Sequence, residues 1–304
     1  MLALSLLLCL AADAPRPTWF EYDRAAPLEL TVVKEAKKGT ATVKEVTFAG
    51  RGPKDRVTAT LVVADGPGPH PAVLYVHWLG EPATTNRTEF FKEAVGLSRF
   101  GVTSLLIDAM WSASGWFSKG RYEDDFDASV KQVVEIRKAL DALAAQPGVD
   151  PKRVAFVGHD FGAMYGVLAG AVDRRPKTYV LMAGTATFHE WYLLRKEQPK
   201  DKAAYVKQME PLDPVKWMGA LAPASVFLQF ADKDRFVPKE KSQQLIDAAP
   251  SPKLSRFYAA QHGLGTSGDV NERFRWLSKE LELPANPLPL GAPDAGKPST
   301  PAVR

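Results

Sequence analysis

Apolar and polar positions follow two textures along the chain. Residues 43–48 and 57–63 alternate apolar with polar side chains, the period of a strand with one face buried. Residues 50–54 form a turn between them, so an antiparallel hairpin is predicted near the start of the body. The texture then changes. Residues 72–76, 102–107, 154–157, 179–182 and 225–230 are short, nearly continuous apolar runs. Such runs suit strands buried on both faces of a parallel sheet. Helical patterns separate them at 88–100, 126–145, 161–172, 239–249 and 270–281. Strand and helix in alternation predict an α/β fold with a mostly parallel, doubly wound sheet, joined by right-handed crossovers.

Residues 184–221 break this rhythm. They contain Phe188-His189-Glu190-Trp191-Tyr192 and a charged helical stretch. Two readings stand at this stage: a small lid over the strand ends, or a plain crossover helix. The two chain ends differ from the body. Residues 1–14 carry an apolar run too short to span a bilayer, followed by small residues, which reads as a secretory leader and predicts export. Residues 284–304 are rich in Pro, Ala and Gly and read as a linker-like tail. Residues 15–283 remain as one catalytic-sized domain.

Composition narrows the function classes. The chain has 304 residues, 45% of them hydrophobic, enough for one sizeable core. Its net charge of +4 is spread without a basic stripe, so no nucleic-acid partner is expected. The single cysteine, Cys9, lies in the leader, which excludes a disulfide framework or a cysteine zinc site. No glycine-rich phosphate loop or metal-ligand spacing occurs. The expectation is therefore no cofactor, no stable membrane insertion, and a small-molecule substrate.

Candidate chemistry begins at Gly158-His159-Asp160-Phe161-Gly162. It follows a predicted strand and opens a predicted helix, so the middle side chain is presented on a sharp turn. With these residues the sequence resembles the α/β-hydrolase family over the body between leader and tail, and most closely its dienelactone hydrolase-like branch. The stretch Pro147-Gly148-Val149-Asp150-Pro151-Lys152-Arg153-Val154 is similar to what precedes the elbow in that branch. Phe230-Ala231-Asp232-Lys233-Asp234-Arg235-Phe236-Val237-Pro238 looks like its acid loop, although Ala231 stands where glycine is more usual. The resemblance implies Asp234 as the acid, with Asp232 as the competing candidate. Tyr258-Ala259-Ala260-Gln261-His262-Gly263 looks like the loop carrying the base, His262. The order elbow, acid, histidine is that of this fold. The resemblance also implies an oxyanion hole of backbone N–H groups, one from Phe161 and one from Trp78 or Leu79 after His77.

Asp160 departs from the pattern, since most relatives carry serine there. A carboxylate is already ionised and needs no base to attack. Attack on a saturated carbon gives an alkyl ester, which water activated by His262 can cleave. The elbow is similar in this to those of haloalkane dehalogenases and epoxide hydrolases. Phe161 stands where those enzymes often carry tryptophan, and the phenolic donors that epoxide opening needs have Tyr192 and Tyr205 as candidates. The bond cleaved stays open among ester, epoxide and carbon–halogen. Two alternatives accompany covalent catalysis: an esterase using Asp160 non-covalently, and a hydrolase-like binding protein without catalysis. A neighbouring carboxylate is expected to favour the imidazolium form of His262. Of the other histidines, His159 is expected to turn toward the core and His77 to be structural. Trp111, Trp116, Phe117, Phe188, Trp191 and Tyr192 are candidate walls of an apolar pocket.

Overall fold

The computed structural model describes residues 18–39, 41–80 and 86–284. The predicted leader, with Cys9, and the tail beyond Pro284 lie outside the described residues. Nine strands form one sheet in the order β1-β2-β3-β5-β4-β6-β7-β8-β9. They are β1 (Thr31–Lys38), β2 (Ala41–Ala49), β3 (Arg56–Val63), β4 (His70–Val76), β5 (Thr103–Ile107), β6 (Val149–His159), β7 (Thr178–Met182), β8 (Ser225–Ala231) and β9 (Lys253–Tyr258). The first three strands and the β3–β5 pair are antiparallel, and the remaining pairs are parallel. The expected hairpin is β2–β3, with Phe48 opposite Val57.

The apolar runs are explained by a core on each face. Along β4, Ala72, Leu74 and Val76 face one core, while Val73 and Tyr75 face the other. Along β6, Val154 and Phe156 join the first core, and Ala155 and Val157 the second. The side-chain period of a strand is two, so a strand feeding two cores must be apolar throughout. Two of the strands carry no apolar run of this kind. Every residue of β1 is exposed, so no buried stripe marks it, and β9 is only partly buried.

The main helices are α1 (Phe91–Ser98), α2 (Trp116–Lys119), α3 (Asp125–Ala144), α4 (Phe161–Val172), α5 (Phe188–Tyr192), α6 (Lys202–Met209), α7 (Pro214–Trp217), α8 (Lys239–Ala248) and α9 (Ser267–Glu280). Helix α4 is buried on all sides from Phe161 to Ala171, which explains its lack of a polar face. Residues 184–221 fold as α5, α6, α7 and 3-10 turns at Glu210–Leu212 and Met218–Leu221, not as one crossover helix. Among the described residues, no helix is long and apolar enough to cross a membrane.

After β4 the chain moves to one side to form β5, then crosses to the other side to form β6. That reversal leaves a crevice at the carboxyl ends of β4 and β6, where open α/β sheets bind ligands. Val76 and Gly158 are partners in the two neighbouring strands, so the loops that follow them lie side by side.

Candidate active site

The elbow is built by close approach. Asp160 has φ 58° and ψ −120°, a strained backbone for a residue with a Cβ. A Cβ on Gly162 would lie 2.2 Å from the Val76 carbonyl oxygen, and one on Gly158 would lie 2.5 Å from that of Gly162. Both positions need glycine because the backbones touch. Asp160 also caps α4, and its negative charge faces the positive end of that helix.

The Asp160 carboxylate is held from several sides. Phe161 N–H donates to Oδ1 at 2.5 Å, and Leu79 N–H donates to Oδ2 at 3.3 Å. His262 Nε2 lies 3.4 Å from Oδ2. His262 Nδ1 lies 2.8 Å from Asp234 Oδ2. Asp234 is fixed in turn, because its Oδ1 accepts from Phe236 N–H at 2.8 Å and Val237 N–H at 3.0 Å. The structure thus brings Asp160, His262 and Asp234 into one line. Asp232, the competing acid, is exposed.

Of the three expected oxyanion donors, Phe161 and Leu79 point at the elbow. Trp78 does not: its N–H donates to Glu89 Oε2 at 2.8 Å, which turns it away from Asp160. Glu89 had no signal in the sequence. It sits in the turn before α1, where an acidic residue looks like ordinary helix-start composition.

His262 is buried against Phe236, Trp191 and Trp78, whose rings lie 5.1, 5.8 and 6.0 Å away between centroids. Burial works against its imidazolium. Hydrogen bonds and charge from Asp160 and Asp234 outweigh that and raise the pKa to about 9. The two carboxylates thus favour the imidazolium form of His262, as an ion pair with Asp160.

The space above these groups is an open pocket of about 380 Å³, lined by Leu79, Phe117, Phe161, Trp191, Leu194 and Phe236 besides Asp160 and His262. Trp191 and Leu194 come from the 184–221 segment. Trp191 Nε1 donates to the Phe236 carbonyl at 2.9 Å, tying this segment to the acid loop. Only some of the expected wall residues reach the pocket. Phe117 and Trp191 do, whereas Trp111, Phe188 and Tyr192 are packed in the core. Trp116 stands edge-on to Phe161 behind the wall.

The two candidate phenolic donors are engaged elsewhere. Tyr192 hydroxyl pairs with that of Tyr165 at 2.7 Å, and Tyr205 hydroxyl donates to Asp125 Oδ2 at 2.7 Å. The Trp111 indole N–H bonds to His77 at 3.2 Å. His77 is buried, with Ser112 Oγ 2.9 Å from its Nε2, and burial lowers its pKa. It is a structural histidine, as expected. Among the described residues, no cluster of His, Cys, Asp and Glu is arranged to hold a metal ion.

Solved structures share this architecture. An acetyl xylan esterase from Paenibacillus sp. R4 superposes with a TM-score of 0.69 at 17% identity, covering 84% of this chain and 89% of the esterase. Acetyl xylan esterase 1 from Thermoanaerobacterium sp. JW/SL YS485 does so with a TM-score of 0.69 at 16% identity, covering 86% and 90%. An α/β hydrolase from Penicillium sp. sh18 gives 0.60 at 15% identity, covering 79% and 99%. The chain has the α/β-hydrolase fold. Within that fold, β6 and α4 form the elbow, β8 leads into the acid loop, and β9 leads into the loop of His262. No protein-family model matches the sequence. Over 95 residues the chain is 33% identical to a polyketide transferase of Stachybotrys chlorohalonatus, a stretch covering 31% of each protein. Over 91 residues it is 36% identical to a polyketide transferase of Penicillium crustosum, covering 30% of this chain and 28% of the relative. The matched stretch spans about a third of the length of these curated relatives.

Proposed function

We propose that this α/β-hydrolase-fold protein is a hydrolase that uses Asp160 as a covalent nucleophile on a small apolar substrate. The observation that carries the reading is the seating of the Asp160 carboxylate on the backbone donors of Phe161 and Leu79. In a serine enzyme of this fold those donors serve the substrate's carbonyl oxygen. Here they serve the nucleophile itself.

The chemistry follows from that seating. Asp160 Oδ2, held by the longer contacts, attacks a saturated carbon. The carbon–leaving group bond breaks, and the leaving group departs with its electron pair. Alkylation removes the Asp160 charge, so His262 gives its proton to solvent and becomes a base. Its Nε2 then takes a proton from water, which adds to the Asp160 carboxyl carbon. Negative charge develops on Oδ1, where Phe161 N–H already points. Collapse expels the product alkoxide, which takes the proton from His262. Asp160 is left protonated and passes its proton to His262, restoring the ion pair. Asp234 holds the His262 ring throughout.

A leaving group that departs as a stable anion, such as halide, needs no proton from the pocket. Among its described lining residues, only Asp160 and His262 carry ionisable groups, so no phenol is available to protonate an epoxide oxygen. An ester carbonyl would meet donors already engaged by Asp160. Ester hydrolysis with Asp160 acting non-covalently is the competing reading, and the test includes it.

The test is intact-protein mass of His262→Ala after incubation with 1-bromobutane, 1,2-epoxyhexane and p-nitrophenyl acetate. A butyl adduct on the peptide containing Asp160 is expected. Wild-type turnover of p-nitrophenyl acetate, with no adduct from any reagent, would overturn the covalent reading in favour of non-covalent ester hydrolysis.

A further inference from the structure

Behind His262 lies a second pair of ionisable side chains that the reaction above does not use. His159 is fully buried. Its Nδ1 lies 2.6 Å from Glu89 Oε1, and its Nε2 lies 3.1 Å from the main-chain carbonyl of His262. A carbonyl oxygen can only accept a hydrogen bond, and so can an ionised carboxylate. Both ring nitrogens therefore face acceptors, and satisfying both calls for a proton on each. The Trp78 indole stacks on the His159 ring, 2° from parallel with centroids 5.2 Å apart. That is the face an aromatic ring presents to a cation. Glu89 has its own second contact, accepting the Trp78 N–H at 2.8 Å.

We propose that Glu89 and the doubly protonated His159 form a buried ion pair that positions the active site. Glu89 holds the strand-end loop that carries Leu79 N–H. His159 holds the backbone of His262. The pair thereby fixes the distance between a donor to Asp160 and the base that serves Asp160. Glu89 and His159 are positioning residues, since neither lines the pocket. A buried pair of this kind adds little net stability over an apolar replacement, but removing one partner leaves the other uncompensated. The role in catalysis rests on the Asp160 reading above; the protonation state of His159 does not.

The test separates these two parts. Long-range proton–nitrogen spectra of histidine-labelled wild-type protein at neutral pH are expected to show both His159 ring nitrogens protonated. A bare nitrogen on that ring overturns the proposal without recourse to any variant. Glu89→Gln then tests the wiring. Its single amide oxygen can serve the Trp78 N–H only if its NH2 faces Nδ1, so His159 is expected to become the neutral Nε2–H tautomer. In folded Glu89→Gln, cleavage of the Asp160 ester formed by 1-bromobutane is expected to slow about tenfold to a hundredfold, while its formation changes by less than about threefold. Unchanged rates of both steps would overturn the positioning role. If 1-bromobutane fails to alkylate Asp160 in the wild type, the proposed function falls, and the wild-type ring spectrum still decides the ion pair.

Discussion

Replacing Asp160 with asparagine imitates the electrostatics of the alkylated enzyme, because either change removes the carboxylate charge while keeping a planar group in place. The nearest Asp160 oxygen lies 3.4 Å from His262 Nε2. At an effective dielectric constant of 20, a full charge at that distance contributes about 5 kcal/mol, equivalent to between three and four pH units. The charge is shared between two oxygens, and the asparagine dipole retains part of the attraction. A fall of roughly two to three pH units in the His262 pKa is therefore expected. Starting from about 9, this brings His262 to roughly pH 6–7, the range a general base needs. The assay is a titration of the His262 ring by NMR in wild type and Asp160→Asn, with mass spectrometry to confirm that the introduced amide has not hydrolysed back to the acid. The corresponding rate prediction concerns the second half-reaction: ester cleavage should fall as pH drops through the His262 pKa of the alkylated state. If His262 in Asp160→Asn still titrates near 9, Asp234 alone holds the proton, and base activation by loss of the Asp160 charge is refuted.

Other consequences are measurable separately. Asp234→Asn removes the charge that orients His262 and should slow Asp160-ester cleavage about a thousandfold or more, while leaving ester formation detectable by mass. The raised pKa of His262 also bears on stability. A group whose pKa is higher in the folded state stabilises below its unfolded value and loses that contribution as pH rises through the folded value, so up to about 3 kcal/mol should be lost between roughly pH 6.5 and 10. Urea unfolding of wild type against His262→Ala isolates that portion from other titrations. Arg195→Met strips the bidentate partner from buried Asp125, whose oxygens lie 2.8 and 2.9 Å from the guanidinium nitrogens; a loss of about 3–5 kcal/mol is expected from the urea midpoint. Gly162→Ala forces a Cβ against the Val76 carbonyl and should cost about 1–3 kcal/mol or more, with loss of Asp160 alkylation.

The sequence disclosed what periodicity and local turns control. Runs buried on both faces located the inner strands, and helix α4 appears at its predicted limits because the elbow fixes its start. Asp234 was preferred to Asp232 from the spacing of a motif; the structure adds the reason, since Asp234 Oδ1 takes two backbone donors while Oδ2 is left for His262. What the sequence withheld depends on distance along the chain. Glu89 reaches His159 across seventy positions, and no local pattern encodes such a contact. The choice between the Trp78 and Leu79 amides stayed open for the same reason: the direction of the Trp78 N–H is set by Glu89, not by the strand end that carries it. Tyr192 and Tyr205 looked available as donors because composition does not report where a hydroxyl is already bonded. Strand β1 escaped notice because an exposed edge strand buries nothing that could print a pattern.

The seating of Asp160 also bears on how the candidate reactions divide. Each backbone donor to an ionised carboxylate contributes about 1.5–3 kcal/mol. To admit an ester carbonyl into the same hole, Asp160 would have to leave both donors, at a cost of about 3–6 kcal/mol, or roughly a hundredfold to ten-thousandfold in rate. Its charge would also repel the oxyanion formed beside it. Covalent attack on saturated carbon avoids both costs, because the donors keep one oxygen in place through alkylation and then meet the charge that develops during hydrolysis. The resting ion pair fits the same sequence of events. Asp160 must be ionised to attack, and a protonated His262 beside it keeps that charge in a pocket otherwise lined by apolar groups. Once the charge is consumed, the reason for His262 to hold its proton disappears, and the base is released when water is needed. On the proposed mechanism, aspartate in place of serine at the elbow changes the use of the oxyanion donors, the charge state of the base and the order in which protons move.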